Sequence, residues 1–203
     1  NITVTTGDVG FYAYSGNLTI SGSGDVSIES VASGIRAKRN VTVSSEGDLT
    51  IASSDSSGIV TESGSIILSG KGNIEINSTF SNFQCNGGDI ELTGNGDVTL
   101  TSLYHYGMRT DGNIILSGSS KVTVNAGGHA VYMESIGKSL LLNGTGAPIS
   151  LTAGEGYKAV WNNADSSSPV GGTNLANYDV TGAPDTASVV YTLKSGTLTG
   201  FEP

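Results

Sequence analysis

The sequence predicts an all-β protein: a right-handed, single-stranded parallel β-helix of about six turns, with three strands per turn. The first observation is that short apolar-x-apolar segments recur with a period of about 24 residues. The second is the composition, because 30 glycines among 203 residues and only 13% charged side chains favour turns and strands over helices. Together they indicate a solenoid, in which successive coils stack on one another.

Each repeat contains three strand columns, numbered here by their order within a turn. The first column begins with a small residue, as in Gly10-Phe11-Tyr12-Ala13 and Gly34-Ile35-Arg36-Ala37. The second column contains triplets whose starts lie 23, 25, 24, 24 and 26 residues apart, at Leu18, Val41, Ile66, Ile90, Ile114 and Leu140. The third column contains triplets that start at Ile2, Val26, Leu49, Ile74, Val98, Val122 and Ile149.

A β-sandwich gives no reason for such a regular repeat, whereas a coil of three strands does. Stacked coils pair each strand in parallel with its copy in the next turn, about 4.7–4.9 Å away. The uneven period favours a right-handed coil over the stricter left-handed hexapeptide form, and right-handed crossovers are the preferred sense. Alternate residues should point inward, so we expect Cys85 to be a buried, unreactive thiol.

The corners between the second and third columns are rich in glycine, as in Ser69-Gly70-Lys71-Gly72 and Thr93-Gly94-Asn95-Gly96. We expect these glycines to supply a positive φ, and the neighbouring Asp or Asn to bond its own backbone two residues on. The recurring corner residues form two polar ladders: Asp25, Asp48, Asn73 and Asp97 with Lys121 at the end, and Asn17, Asn40, Asp89 and Asn113. Turn capping is favoured over calcium binding for both ladders.

The chain divides into residues 1–163, the β-helix repeats, and residues 164–203, a loop and a C-terminal capping strand segment. Residues 165–172 have the composition of a loop, and Val189 to Leu193 has that of a strand. An open coil exposes its core and its strand edges, so residues 187–198 are expected to cover it. A linker towards another domain is the alternative interpretation.

The net charge of −9 opposes binding to a nucleic-acid backbone or to an anionic membrane surface. No run of 18 apolar residues predicts a membrane-inserted segment. Cys85 is the only cysteine, which excludes an internal disulfide and a multi-cysteine metal site. Neutral glycans and cations are therefore the easier partners.

The exposed face of the first column is chemically unlike the other two faces, which look like ordinary β surfaces. Rings can stack on a pyranose, while guanidinium, amide and carboxylate groups bond its hydroxyls. The predicted ligand-binding residues are Tyr12, Arg36, Lys38, Glu62, Arg109, Asp111, Tyr132, Glu134 and Trp161. The alternative is an exposed sheet that carries polar residues without a ligand.

Asp111 and Glu134 occupy the same position in neighbouring turns, so their backbones should lie about 5 Å apart. Such a pair could serve a retaining glycosidase or flank a Ca²⁺ ion, which prefers oxygen ligands. Arg109 could instead be the charge partner of Asp111. No catalytic residue is assigned, the metal ligands stay undetermined, and Ca²⁺ remains possible.

The pattern in Asn17-Leu18-Thr19-Ile20-Ser21-Gly22-Ser23-Gly24-Asp25 and in Gly34-Ile35-Arg36-Ala37 resembles bacterial surface β-helix proteins of the carbohydrate-binding-domain type, with a pectate-lyase-like fold. The resemblance covers roughly residues 1–161 and implies a secreted or cell-surface protein that binds a polysaccharide or surface glycan, often with calcium. We therefore expect a glycan-binding or adhesive module without catalysis. The alternatives are a polysaccharide lyase or glycoside hydrolase acting across the first-column face, and a structural stalk or adhesin.

Overall fold

A computed structural model describes residues 1–163, 170–172, 176 and 178–194. The chain forms a parallel β-solenoid of about six turns with a period of about 24 residues, as the sequence predicts. Each turn contributes one strand to each of three sheets. Within the described residues, no helix has the length and apolar character needed to cross a membrane.

The three sheets correspond to the three columns of the sequence. The first-column sheet contains β2 (Phe11–Ala13), β5 (Ile35–Ala37), β8 (Ile59–Thr61), β11 (Phe83–Cys85), β14 (Met108–Thr110), β17 (Val131–Met133) and β20 (Val160–Asn162). The second-column sheet contains β3 (Leu18–Gly22), β6 (Val41–Ser45), β9 (Ile66–Leu68), β12 (Ile90–Leu92), β15 (Ile114–Leu116), β18 (Leu140–Leu142) and β21 (Val170–Gly171).

The third-column sheet is the longest and also carries the C-terminal strands. It contains β1 (Ile2–Thr6), β4 (Val26–Ser30), β7 (Leu49–Ser53), β10 (Ile74–Ser78), β13 (Val98–Ser102), β16 (Val122–Ala126) and β19 (Ile149–Thr152), followed by β23 (Ser188–Leu193) and β22 (Tyr178–Gly182). Like residues pair with like, so that Ile74 of β10 lies beside Leu49 of β7 on one side and Val98 of β13 on the other. β1 pairs with β4 and begins the stack.

The core is a set of apolar columns that run along the solenoid axis. In the third-column strands β4, β10 and β13, the first, third and fifth residues are buried and the residues between them are partly or fully exposed. Phe83 and Met108 are fully buried beside each other, and Cys85 is buried on the inward row between Thr61 and Thr110. The sequence predicts these inward positions correctly because a strand alternates its faces residue by residue.

The corner glycines are needed for close stacking of the coils, which corrects the predicted reason for their presence. Three of these corners contain the glycine pairs Gly22 and Gly24, Gly70 and Gly72, and Gly94 and Gly96. Of these six glycines, only Gly22 has a φ in the left-handed region, at 120°. A Cβ on Gly96 would overlap the carbonyl oxygen of Gly72, and a Cβ on Gly94 would overlap that of Gly70. The glycines therefore let the backbone of one coil approach that of the next.

The two polar corner ladders join neighbouring coils, whereas the sequence predicted bonds within one turn. The Asp48 amide donates to Asp25 Oδ1 (3.1 Å), and the Asn73 amide donates to Asp48 Oδ1 (2.7 Å). In the second ladder, the Asn40 amide donates to Asn17 Oδ1 and the Ser65 amide to Asn40 Oδ1. Each side chain thus accepts a backbone hydrogen bond from the following coil, which leaves a structural role for the ladders.

The C-terminal strands cover the last coil. β23 pairs antiparallel with β19, so that Tyr191 lies beside Ile149, and β22 pairs antiparallel with β23. Tyr178 is buried, and its hydroxyl oxygen lies 2.9 Å from the carbonyl oxygen of Gly146 and 3.1 Å from that of Gly144, within hydrogen-bonding distance of both. Most of the predicted loop lies in residues 164–169, which are outside the described residues, as are residues 195–198 of the predicted cap. The sequence predicts a loop at Val170–Gly171, but this segment is a strand that pairs in parallel with β18.

We expect Gly96→Ala to lower the free energy of unfolding by about 1–3 kcal/mol, because the added methyl group must push apart two stacked coils. Gly7→Ala is the matched control, since a Cβ on Gly7 meets no atom within 4 Å. Chemical denaturation of the two variants measures the difference. Equal stability of Gly96→Ala and Gly7→Ala would contradict the role assigned to the corner glycines.

Candidate functional site

The exposed face of the first-column sheet carries the predicted ligand-binding residues. In-register pairing places Tyr12 beside Arg36, and Arg109 between Gln84 and Tyr132, which in turn lies beside Trp161. Lys38, Glu62, Asp111 and Glu134 directly follow the strands of the same sheet. Val60, on the outward row, is only 8% exposed and separates the polar residues into two clusters.

The first cluster is centred on Glu62. Lys38 Nζ lies 2.7 Å from Glu62 Oε2, and Arg36 Nη2 lies 2.8 Å from Glu62 Oε1. The hydrogen bond from Lys38, followed by that from Arg36, lowers the pKa of the Glu62 carboxyl below its ordinary value, and the same contact raises the pKa of Lys38. The guanidinium of Arg36 also lies 5.8 Å from the ring centre of Tyr12, whose ring meets that of Tyr14 edge-on. Two aromatic rings and three charges thus share one small surface.

The second cluster is centred on Arg109. Its Nη1 donates to Asn86 Oδ1 (2.9 Å), and its Nη2 bonds Glu134 Oε2. The partner of Arg109 is therefore Glu134 of the next coil, and the pairing with Asp111 considered from the sequence is wrong. Within the described part of the chain, Asp111 forms no ion pair. The guanidinium holds a neutral amide on one side and a carboxylate on the other, which fixes its direction.

An aromatic stack lies beside the second cluster. The ring of Tyr132 is sandwiched between those of Tyr106 and Trp161, at centroid distances of 4.3 Å and 4.5 Å and interplanar angles of 13° and 5°. Burial raises the pKa of the Tyr132 hydroxyl, and electrostatic interactions with Tyr106 and Glu134 raise it further. Both faces of Tyr132 are therefore covered, and its edge and hydroxyl are what a ligand could reach.

His129 extends the stack sideways. Its ring lies 5.7 Å from that of Trp161, at 25°, and meets Tyr157 edge-on at 5.1 Å. The backbone amide of Lys158 donates to His129 Nδ1 (2.9 Å), and burial lowers the pKa of this histidine. Tyr106, His129 and Tyr157 belong to the aromatic surface, although none of them is among the predicted ligand-binding residues. Tyr106 and His129 each lie two residues before a first-column strand and Tyr157 lies three before the next, so a signal for this cluster exists in the sequence.

A second surface, whose sequence pattern is that of an ordinary β surface, forms a groove of about 800 Å³ along the solenoid axis. We call it the axial groove. It follows the ends of the third-column strands and crosses every coil from Thr5 to Thr152. Its outward row consists of Thr5, Glu29, Ala52, Asn77, Thr101, Asn125 and Thr152, each paired in register with the next.

Buried serines form the floor of the axial groove. Ser53 donates to Ala32 O (2.6 Å) and Ser102 to His105 O (2.9 Å), so these hydroxyls hold the bend of the chain. At mid-length, the side-chain amide nitrogen of the buried Asn82 lies within hydrogen-bonding distance of Ile76 O (3.0 Å), Ser78 Oγ (2.9 Å) and Thr101 O (2.7 Å). A signal for this groove exists in the sequence, since the third-column strands end in serine in four successive coils.

No three His, Cys, Asp or Glu side chains within the described ranges come together in a way that could hold a metal ion. The carboxylates of the first-column face are distributed between the two clusters, and Glu62 and Glu134 are both neutralised by basic partners. What the face offers is hydrogen bonding and ring contacts.

Comparison with protein-family models, with curated proteins and with solved structures finds no match to this chain.

Replacing Lys38 by Met is expected to raise the pKa of Glu62, because the largest contact that stabilises the ionised carboxylate is removed. In the native protein the depressed pKa means that the Glu62 contacts stabilise the fold above the unfolded-state pKa. That stabilisation is lost as the pH falls through the folded-state pKa. Carbon-detected NMR titration of the Glu62 carboxyl measures the shift.

The matched control is Lys71→Met, which removes an ion pair on another surface, where Lys71 Nζ lies 3.0 Å from Glu46 Oε1. This control should leave the pKa of Glu62 unchanged. An identical Glu62 titration in the native protein and in Lys38→Met would show that the Lys38 contact is not formed in solution.

Proposed function

We propose that this chain is a glycan-binding or adhesive module of an extracellular or bacterial cell-surface protein, without catalytic activity. The observation that carries the proposal is the meeting of an aromatic stack, Tyr106–Tyr132–Trp161, with the fixed Asn86–Arg109–Glu134 chain on one exposed sheet. Sugars present C–H surfaces and hydroxyls together, and this sheet presents rings and charged hydrogen-bonding groups together.

Preorganisation supports the proposal. The stack holds its rings nearly parallel, and Arg109 and Glu62 are each held by two partners before any ligand arrives. A surface whose side chains are already ordered loses little conformational entropy on binding. The acidic composition adds a preference for neutral or cationic glycans over polyanions.

Catalysis is the weaker alternative. A retaining glycosidase needs two free carboxyl groups, one as nucleophile and one as acid. Glu134, one of the two carboxyl groups that the sequence suggests for such a pair, is bonded to Arg109 and is therefore occupied. A purely structural stalk is the other alternative, and it predicts that substitutions on the first-column face change nothing but stability.

The test is a glycan array and a polysaccharide pull-down with the native protein and a Tyr132→Ala/Trp161→Ala variant, in buffers with Ca²⁺ and with a chelator. We expect the native protein to bind in both buffers, since no cluster of acidic ligands is formed in the described chain. We expect the variant to lose about tenfold or more in affinity, the scale of a binding hot spot.

Thr123→Ala/Ser150→Ala is the matched control, because these outward residues belong to the same two turns but to the third-column sheet. Arg109→Gln is the second test variant, since it removes the charge while leaving the aromatic stack in place. If the native protein binds no glycan, the proposal is overturned. If all variants bind a glycan equally well, the binding site does not lie on the first-column face.

A further inference from the structure

We infer that the axial groove is a second binding site, which accommodates an extended neutral polysaccharide chain lying parallel to the solenoid axis. The inference rests on the proposed function for its class of ligand, but it assigns that ligand to a different surface. The groove lies at the ends of the third-column strands, whereas the proposed site is the face of the first-column sheet.

The shape of the groove favours a long chain over a compact ligand. It crosses seven strands of the third-column sheet, from β1 to β19, which are about 4.7–4.9 Å apart. Its length is therefore about 29 Å, six times that spacing. A linear polymer lying along this axis can contact several successive coils at once.

The lining of the groove matches the two kinds of surface that a sugar presents. The side chains of Thr101, Asn125 and Thr152 are exposed and have no hydrogen-bond partner within the described part of the chain, so they are available to hydroxyl groups. The exposed side chains of Val31 and Leu103 provide apolar contacts for the C–H faces of the rings.

The charge of the groove favours a neutral occupant. Glu29 is the one charged residue among those that line it, and the whole chain carries a net charge of −9. A polyanionic chain would be opposed by the net negative charge of the protein and by Glu29 within the groove, while a neutral chain would not.

A peptide fits the groove less well than a glycan does. An extended peptide binds a sheet by adding to a free strand edge, where its backbone finds unpaired amide and carbonyl groups. The groove runs across the strands, and the backbones of β10 and β13 are already paired with their neighbours on both sides. An occupant must therefore bind through side chains, and a chain of hydroxyl groups is suited to Thr and Asn partners.

The floor of the groove is rigid, which favours binding. The buried serines are held to backbone carbonyls, and the side-chain amide of Asn82, which lies within hydrogen-bonding distance of both strands, links β10 to β13 beneath the middle of the groove. The backbone beneath the outward row is therefore held in place before the ligand binds, and little backbone entropy is lost on association.

The test is calorimetric titration of the whole chain with cellohexaose, xylohexaose and mannohexaose as neutral probes, with the matching disaccharides, and with hexagalacturonate as the acidic probe. We expect at least one neutral hexasaccharide to bind about tenfold or more tightly than its disaccharide, because more coils are contacted. Hexagalacturonate is expected to bind more weakly than that hexasaccharide. Equal affinity for the hexasaccharide and its disaccharide would overturn the inference.

Ala52→Trp blocks the middle of the groove from an exposed position, and Thr50→Trp on the same strand, outside the groove, is the matched control. We expect Ala52→Trp to weaken hexasaccharide binding by about tenfold or more and Thr50→Trp to change it by less than about twofold. Asn77→Ala/Asn125→Ala, which removes hydrogen-bonding groups without adding bulk, is expected to weaken it as well.

Titration of Tyr132→Ala/Trp161→Ala with the same probes separates the two surfaces. If this variant loses hexasaccharide binding and Ala52→Trp retains it, the groove inference is overturned while the proposed function stands. If Ala52→Trp loses binding and the double variant retains it, the groove is supported and the first-column assignment fails. If no neutral hexasaccharide binds, the groove inference is overturned whatever the glycan array shows.

Discussion

The backbone hydrogen bonds between neighbouring coils are the interaction on which the rest of the structure depends. They hold each strand in register with its copy about 24 residues away, so that apolar residues form continuous buried columns. The same register requires glycine where two corners meet, as at Gly94 and Gly96, and it aligns the Asp and Asn side chains that accept amides of the following coil. Core, corners and ladders are consequences of one repeated contact.

Stacking also determines what the surface can do. Any outward position is presented once per coil, so a row of residues becomes a line of similar groups parallel to the axis. Where similar residues recur, as in the axial groove, the row presents hydroxyl or amide groups at five of its seven positions. Where the repeat is broken, as by Arg109, Tyr132 and Trp161, it produces a single cluster with its own chemistry. The two proposed glycan sites follow from these two kinds of row.

Strand positions and the core could be predicted from the sequence because both depend on local alternation and on the period. The placement of Phe83, Met108 and Cys85 inside the solenoid needed nothing more. The details of the surface depend on contacts between coils, and these were harder to predict. Arg109 bonds Glu134 across coils although Asp111 is nearer in sequence, and Val60 is buried on a row expected to be outward. The groove was missed because its concavity arises from the bend after each third-column strand, which no single residue reveals.

A crystal structure of the chain with a bound neutral hexasaccharide tests the central claim most directly, that stacked rows of side chains bind an extended glycan along the solenoid axis. The account predicts sugar density parallel to the axis, with hydroxyls bonded to Asn77, Thr101 or Asn125 in the groove. Sugar bound across the coils on the second-column sheet, or at the end of the coil beside β1, would contradict it.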